Sequence, residues 1–215
     1  MIDPADLAAV AAQLGRTPRG TRAVAHRCGC GLPDAVETTP RLPDGSPFPT
    51  LFYLTCPRAV AICSRLESEG LMREMNARLA ADPVLADRYR AAHEDYLARR
   101  AKIGEVPEIA GVSAGGMPTR VKCLHVHLAH AMAAGPGVNP LGDEVRERAE
   151  PWWTGGPCIP AASERSADGA STARQCDGQF LPGQLTVAAS TRDTLAGWRS
   201  PSAGHAPATC AGSGA

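Results

Sequence analysis

The sequence has few aromatic residues and no net charge, and both absences argue against a nucleic-acid-binding protein. Phe, Trp and Tyr make up 4% of its 215 residues, so the aromatic side chains on which single-stranded nucleic acids stack are poorly supplied. Lys and Arg together number 22, as do Asp and Glu, which gives a formal charge of zero. A basic face or stripe for a polyanion is therefore not indicated, and we expect no nucleic-acid partner.

Long apolar runs are also missing. No segment approaches the roughly 18 consecutive apolar residues that a membrane-spanning helix needs, and the first residues lack the basic stretch and apolar run of a secretory signal. We therefore expect a cytoplasmic protein that has no membrane partner. In a reducing compartment its eight cysteines are expected to be thiols or metal ligands, not disulfides.

The order of the periodic segments predicts an α+β fold, in which a small antiparallel sheet packs against several α-helices. Asp-Pro pairs at the start of two segments favour helix N-termini, and runs rich in β-branched and aromatic residues favour strands. The predicted helices are 3–14, 57–69, 71–80, 82–103 and one following 118, and the predicted strands are 22–28, 35–39 and 50–55.

The domain organisation follows from the same segments. Residues 1–20 are predicted to hold an amphipathic helix, and residues 21–160 a single α+β domain. After Pro160 the composition changes to Ala, Ser, Gly, Thr and Arg with little periodicity. Such a segment buries too little apolar surface to offset its chain entropy, so 161–215 is predicted to be a disordered or divergent tail.

Candidate metal ligands lie beside turn residues in separate segments. Cys28 and Cys30 flank Gly29, and a strand that continued through Cys30 would place both thiols on the same side. Cys56 immediately precedes Pro57 at a predicted helix start, where the helix dipole favours the thiolate. These positions suit either a metal ligand or a nucleophile.

The densest group of candidates is Cys123, His125, His127 and His130, which occupy eight residues. On an ideal helix Cys123, His127 and His130 share a face, and His125 lies about 160° away from it. One helix therefore cannot direct all four at a single ion. Either the helix begins after Cys123, or some of the histidines serve elsewhere, where hydrogen bonds would satisfy a buried imidazole as well as ligation would.

Five motifs in this order are similar to those of a bacterial family, the domain of unknown function numbered five hundred and one. They are Cys28-Gly-Cys-Gly-Leu-Pro, Pro40-Arg-Leu-Pro-Asp-Gly-Ser-Pro-Phe-Pro-Thr, Tyr53-Leu-Thr-Cys-Pro, Ala114-Gly-Gly-Met-Pro-Thr-Arg-Val-Lys-Cys-Leu-His and Gly135-Pro-Gly-Val-Asn-Pro-Leu-Gly-Asp. The resemblance covers residues 22–158 and implies no assigned activity. Family members are often encoded near a septum-formation-initiator-like protein and an exopolyphosphatase.

Matching the family's motifs residue by residue selects Cys28, Cys30, Cys56, Cys123, His125 and His130. The family usually has an apolar residue where this chain has His127. The resemblance gives no role to His127, and the sequence leaves open whether His93 has one.

The leading hypothesis is a cytoplasmic protein with a Cys/His metal site. The ligands would be Cys28, Cys30, Cys56 and Cys123, with His125 or His130 as alternates. Four thiolates suit a tetrahedral zinc ion or an iron–sulfur cluster, and mixed Cys/His surroundings favour zinc.

Two alternatives remain at this stage. One is a thiol-dependent enzyme in which Cys56 or Cys123 is the nucleophile and a histidine is the base. The other is a protein-interaction module linked to cell division or envelope complexes, which rests on the gene neighbourhood of the family alone.

Overall fold

The computed structural model describes residues 2–159, and these form a three-stranded antiparallel sheet and six α-helices, the α+β class that the sequence predicts. The tail predicted for 161–215 lies outside the described residues. In chain order the elements are α1 (Pro4–Leu14), β1 (Thr21–Arg27), β2 (Pro33–Thr38), β3 (Phe52–Leu54), α2 (Pro57–Ser68), α3 (Leu71–Ala81), α4 (Pro83–Ala101), a short 3-10 helix (Pro107–Ile109), α5 (Leu124–Ala134) and α6 (Pro140–Ala149).

Proline at the first helical position sets the start of four of the six α-helices. Helix α1 follows Asp3, whose side chain accepts a hydrogen bond from the Ala5 N–H. Helix α4 follows Asp82, which accepts from the N–H groups of the two residues after Pro83. A proline here costs no hydrogen bond, because the first N–H groups of a helix have no intrahelical partner. The starts of α1, α2 and α4 were therefore predictable from local sequence.

The sheet has the order β1-β2-β3, with β2 in the centre. A tight turn joins β1 to β2: the Cys28 N–H donates to the Leu32 carbonyl, and the Gly31 N–H donates to the Cys28 carbonyl. Strand β1 ends at Arg27. The two thiols of Cys28 and Cys30 are therefore placed by this turn and not by the alternation of a continuing strand.

Helix α5 forms the centre of the fold. It lies against all three strands, and α2 and α6 pack on it. The approach to α6 is close, since a Cβ at Gly142 would overlap the His127 carbonyl oxygen. Helix α5 begins at Leu124, and Cys123 precedes it with an extended backbone.

Side chains of helix α4 form hydrogen bonds to the backbone of the loops around the core. The buried Tyr96 hydroxyl accepts from the Leu51 N–H at 2.5 Å. Arg100, in the last turn of α4, is 5% exposed. Its guanidinium donates to the carbonyls of Pro49, Ile109 and Val112, so it satisfies three loop carbonyls at once.

No helix within residues 2–159 combines the length and the apolar character needed to cross a membrane.

Candidate metal-binding site

Four thiols converge at one end of the sheet. The Sγ atom of Cys158 lies 3.1 Å from that of Cys56 and 3.4 Å from those of Cys28 and Cys30. Cys28, Cys56 and Cys158 are buried, and Cys30 is half-buried. A disulfide needs about 2.05 Å between its sulfurs, so these are free thiols. We call this group the thiol cluster.

Each segment that contributes to the thiol cluster is held by local structure. Cys28 and Cys30 belong to the β1–β2 turn, where Gly29 lets the indole of Trp153 approach so closely that an added Cβ would lie 2.7 Å from the ring. Cys56 is the residue before α2, and the carbonyl of Asp34 in β2 accepts from its N–H. The turn, the sheet and the start of α2 thus fix three of the four sulfurs.

The fourth sulfur is brought in by residues 151–159. Arg58, in the first turn of α2, donates hydrogen bonds of 2.9 Å to the carbonyls of Gly155 and Gly156. Trp152 is buried in the core and packs edge-to-face on Trp153. Arg58 lies two residues after Cys56. Its hydrogen bonds therefore hold residues 151–159 against the start of α2 and position Cys158 beside the other thiols.

Burial and mutual proximity control the ionisation of the thiol cluster. Burial raises the pKa of Cys28. Burial, reinforced by the hydrogen bonds of the three other thiols, raises that of Cys158 above its ordinary range. The pKa of Cys30 is lowered, because the Leu32 N–H and the Cys158 group outweigh the effect of its burial. Four ionised thiols this close would repel one another, which favours their protonated forms. A bound cation would take the place of the protons and neutralise the thiolates.

The sulfur separations are close to those of a tetrahedral thiolate site. Zinc–sulfur bonds of about 2.3 Å at tetrahedral angles place neighbouring sulfurs about 3.8 Å apart. The Cys28, Cys56 and Cys158 sulfurs all lie within 4.8 Å of one another, and the Cys158 contacts of 3.1 and 3.4 Å would lengthen by about 0.7 and 0.4 Å to reach that spacing. Cys30 stands outside this group of three and joins it through its 3.4 Å contact with Cys158. The cluster can therefore hold a metal ion.

A second group of candidate metal ligands lies at the other end of α2. The Nδ1 atom of His125 is 3.6 Å from the Cys123 Sγ and 3.2 Å from the Glu67 Oε1. Glu67 Oε1 also accepts from the Leu124 N–H at 2.7 Å, and Ser64 Oγ lies 3.3 Å from His125 Nε2. Since Cys123 precedes the helix, its thiol and the His125 imidazole can face the same point. The constraint of the ideal helix does not apply to them.

The contact between Cys123 and His125 favours the ionised forms of both side chains, the thiolate and the imidazolium. Burial alone would raise the pKa of Cys123, but the His125 imidazole and the Val126 N–H outweigh it, and the pKa is lowered. The hydrogen bond to Cys123 raises the pKa of His125 against the effect of burial. Cys63, nearby on α2, differs: burial raises its pKa to about 12, so that core thiol stays protonated.

His127 and His130 belong to a buried polar network centred on Asn139. The Asn139 amide nitrogen lies 3.3 Å from His127 Nδ1 and 3.2 Å from His130 Nδ1. An amide NH₂ has two donors, so it serves both rings. The Asn139 Oδ1 accepts from the Gly142 N–H and caps α6.

The far nitrogens of both rings must then carry the protons. His130 Nε2 donates to Asp95 at 3.0 Å, and His127 Nε2 faces the Gly115 carbonyl and the Tyr89 hydroxyl. Burial lowers the pKa of His127 to about 4 and also lowers that of His130. Both rings are neutral hydrogen-bonded core residues, and His127 needs no metal to explain it.

The structure divides the sequence-predicted ligands among three places. Cys28, Cys30 and Cys56 lie together in the thiol cluster. Cys123 and His125 lie in the second group, and His130 lies in the Asn139 network. His93, for which the sequence predicts no definite role, lies on α4 with its Nδ1 2.8 Å from Ser113 Oγ.

The sequence did not predict the roles of two residues in these groups, Cys158 and Glu67. Cys158 is 102 residues from Cys56, but it follows Gly-Gly-Pro, and this is the same association of thiol and turn residues that marks Cys28 and Cys56. Glu67 has no such signal, because a glutamate in the last turn of an amphipathic helix is ordinarily solvated.

Comparison with known proteins identifies a family and nothing closer. The family model described as "Protein of unknown function (DUF501)" matches residues 24–147, more than half of the chain, so the chain belongs to that family, as the sequence resemblance implies. No curated protein matches the chain. No solved structure matches it either.

Proposed function

We propose that this member of the DUF501 family is a zinc protein in which Cys28, Cys30, Cys56 and Cys158 hold a closed, structural tetrathiolate site. The observation that carries the proposal is the convergence of four free thiols from three distant segments, with Cys158 Sγ within 3.4 Å of the other three sulfurs.

Zinc fits this donor set better than an iron–sulfur cluster. Four thiolates complete the tetrahedral coordination of zinc and leave no position for a substrate. A cubane or a two-iron cluster would need room for bridging sulfides between the cysteines, whereas the Cys158 sulfur already stands closer to the other three sulfurs than the roughly 3.8 Å of a mononuclear zinc site. The proposed role is therefore structural and not catalytic.

The ion would join parts of the chain that are distant in sequence. It would link the β1–β2 turn, the start of α2 and residues 151–159, which otherwise meet through the Arg58 hydrogen bonds and the packing of Trp152. Metal binding would then contribute directly to the free energy of folding. Thiolate ligands stay reduced in the cytoplasm, and we propose that compartment as the place where the protein works.

Metal analysis of the purified chain tests this proposal. Protein prepared without chelator should contain zinc, and Cys158→Ser should lack the equivalent bound by the thiol cluster. The matched control is Cys63→Ala, which removes a buried thiol of the same helix outside the cluster and should keep the full metal content.

Two results would contradict the proposal. One is zinc-free wild-type protein, and the other is equal metal content in the wild type and Cys158→Ser. Stoichiometric iron with inorganic sulfide would instead establish the cluster alternative. Should Cys158→Ser fail to fold, Cys30→Ser provides a second test, because Cys30 is only half-buried.

A further inference from the structure

The Glu67, Cys123 and His125 side chains form a group that the tetrathiolate site does not explain. Their ligand atoms all lie within 4.8 Å of one another. This group is at the opposite end of α2 from Cys56, about 16 Å away along the helix at 1.5 Å per residue. One ion cannot serve both places, so whatever this group binds is independent of the thiol cluster.

The geometry departs from that of a nucleophilic triad. In a triad the thiol contacts one nitrogen of the imidazole and the orienting group contacts the other. Here the thiol and the carboxylate both face His125 Nδ1, at 3.6 and 3.2 Å. A single N–H cannot point well at two acceptors. A thiolate and a carboxylate beside each other repel unless a cation lies between them.

The same distances fit three ligands of one tetrahedral ion. Bond lengths of about 2.3 Å to sulfur and about 2.0–2.2 Å to nitrogen and oxygen place sulfur about 3.6 Å from nitrogen, and nitrogen about 3.4 Å from oxygen. The observed separations of 3.6 and 3.2 Å agree with both values. Expansion of the site is not required.

The surroundings of these side chains are those of metal ligands. Ligating histidines use their second ring nitrogen to bond a neighbouring polar group, and ligating carboxylates are themselves hydrogen-bonded. Ser64 Oγ lies 3.3 Å from His125 Nε2, and the Leu124 N–H donates to Glu67 Oε1. Ser64 and Glu67 stand three residues apart on α2, so one face of that helix supplies both a ligand and the orienting group.

We infer that Glu67, Cys123 and His125 bind a second divalent metal ion of the zinc type, with its fourth coordination position open. The three protein ligands leave one position of a tetrahedral ion for water or a ligand group, as in catalytic zinc sites. The position opens on a groove of about 610 Å³, lined mainly by apolar side chains of α1, β3 and the start of α2. Cys123 and His125 line this groove at its metal end.

The groove defines the chemical class of ligand. A molecule that binds here would have an extended apolar body beside Val60 and Ala61 and an oxygen donor or anionic head at the metal. Among residues 2–159, no charged side chain lines the groove apart from the Cys123/His125 pair, so the groove offers no cationic surface to a polyanion.

Metal counting separates this site from the tetrathiolate site. The wild type should bind two equivalents, and Cys123→Ser and Glu67→Gln should each bind one. Ser64→Ala should keep two equivalents but bind the second one roughly 10–100-fold more weakly, as expected when an orienting hydrogen bond is lost. Circular dichroism of each variant verifies that it is folded.

Cobalt substitution supplies a readout that does not depend on activity. Thiocyanate should change the visible spectrum of the cobalt protein, because it enters the open position, and should leave the spectrum of Cys123→Ser unchanged. Octanohydroxamate should bind the wild type at least tenfold more tightly than acetohydroxamate. Ala61→Asp, which places a charge in the groove without touching a ligand, should remove most of that preference.

Each result has a separate meaning. If the wild type binds one metal equivalent, and Cys158→Ser loses it whereas Cys123→Ser keeps it, the second site is overturned and the tetrathiolate proposal stands. If Cys123→Ser loses the single equivalent and Cys158→Ser keeps it, the tetrathiolate proposal alone is overturned. A single equivalent together with rapid alkylation of Cys123 at neutral pH would identify a thiolate nucleophile in place of the second metal. No thiocyanate response and no chain-length preference would overturn the open position and the groove.

Discussion

Cys56 and Glu67 stand at opposite ends of the same helix and belong to different clusters. Cys56 precedes the first turn of α2 and has its sulfur 3.1 Å from that of Cys158. Glu67 is in the last turn and has its Oε1 3.2 Å from His125 Nδ1. Helix α2 is therefore the element that holds the two groups of candidate metal ligands apart, and a change at one end of it need not affect the other.

Arg58 should control the affinity of the thiol cluster for the proposed zinc ion, although Arg58 is not one of the proposed ligands. Its guanidinium bonds the Gly155 and Gly156 carbonyls and so positions Cys158. We expect Arg58→Ala to weaken metal binding roughly 10–100-fold, the usual cost of losing a group that orients a ligand. Competition with a chromophoric chelator measures this affinity.

Two variants are matched to that experiment. Arg58→Lys keeps the charge but cannot bridge two carbonyls with a planar fork, so it should lie between the wild type and Arg58→Ala. Arg65→Ala removes an exposed arginine of the same helix whose side chain, in the part of the chain that the structure describes, pairs with Glu69 alone, and it should leave the affinity unchanged. An affinity of Arg58→Ala equal to that of Arg65→Ala would contradict the positioning role.

Gly29 is required by a steric contact and not by its backbone angle. A Cβ there would lie 2.7 Å from the Trp153 ring, so Gly29→Ala must displace the indole or the turn that carries Cys28 and Cys30. Overpacking of this kind costs about 1–3 kcal/mol, and we expect weaker metal binding with it. Urea denaturation of metal-loaded protein measures the loss.

The steric origin predicts a specific rescue. Trp153→Val in the Gly29→Ala background makes room for the added methyl group and should recover part of the lost stability. The neutral control is Gly104→Ala, where the Cβ would meet only Pro40 at 3.8 Å, and its effect should stay within about 0.5 kcal/mol. Additive effects of the two substitutions at Gly29 and Trp153 would rule out the proposed contact.

The fold was predictable wherever the signal is local. Asp3-Pro4 and Asp82-Pro83 mark helix starts through hydrogen bonds made within four residues, and the β-rich run at 50–55 contains β3. The sequence-predicted and observed boundaries of α4 differ by one residue at the start and two at the end. Capping and periodicity depend on neighbours in the chain, so a single sequence contains them.

The candidate site was predictable only in part, because it depends on contacts between distant segments. Cys28, Cys30 and Cys56 were selected by their glycine and proline neighbours. Cys158 has the same kind of neighbours, in Gly155-Gly156-Pro157, but nothing local reveals that it meets thiols more than 100 residues away. Glu67 has no local signal at all. The division of the ligands into two groups follows from the length of α2 and from the exact start of α5, and no periodicity specifies either of them.

Substitution of Asn139 should destabilise the core strongly. It caps α6 through its oxygen and donates to His127 and His130 through its nitrogen. Asn139→Ala removes a cap worth about 1 kcal/mol and leaves two buried imidazole nitrogens unpaired, at about 1–3 kcal/mol each. We expect a loss of roughly 3 kcal/mol or more in urea denaturation.

The matched variant for that experiment is Asn139→Ser. Serine is an equally good helix cap but is too short to reach the two imidazoles. It should therefore recover only the cap, about 1 kcal/mol, and remain well below the wild type. Wild-type stability of Asn139→Ser would mean that the amide–imidazole contacts contribute nothing.

The buried neutral form of His130 predicts that stability falls in mild acid. Burial lowers its pKa in the folded chain below the ordinary 6.5, so the unfolded chain takes up a proton at a higher pH than the folded chain does. The His130 contribution is fully present above pH 6.5 and is lost as the pH falls from 6.5 towards the folded pKa. The slope is at most about 1.4 kcal/mol per pH unit for one group.

The groups that face His130 set the size of this effect. Asp95 accepts from its Nε2 and, with Asp143, raises its pKa, whereas burial and Arg99 lower it. Urea denaturation at several pH values between 7.5 and 5 should give a steeper loss for the wild type than for His130→Gln, which cannot titrate. Acid release of a metal from the proposed sites should contribute equally to both proteins and cancel in the difference. Parallel pH profiles for the two would show that His130 is not the group that makes the fold acid-sensitive.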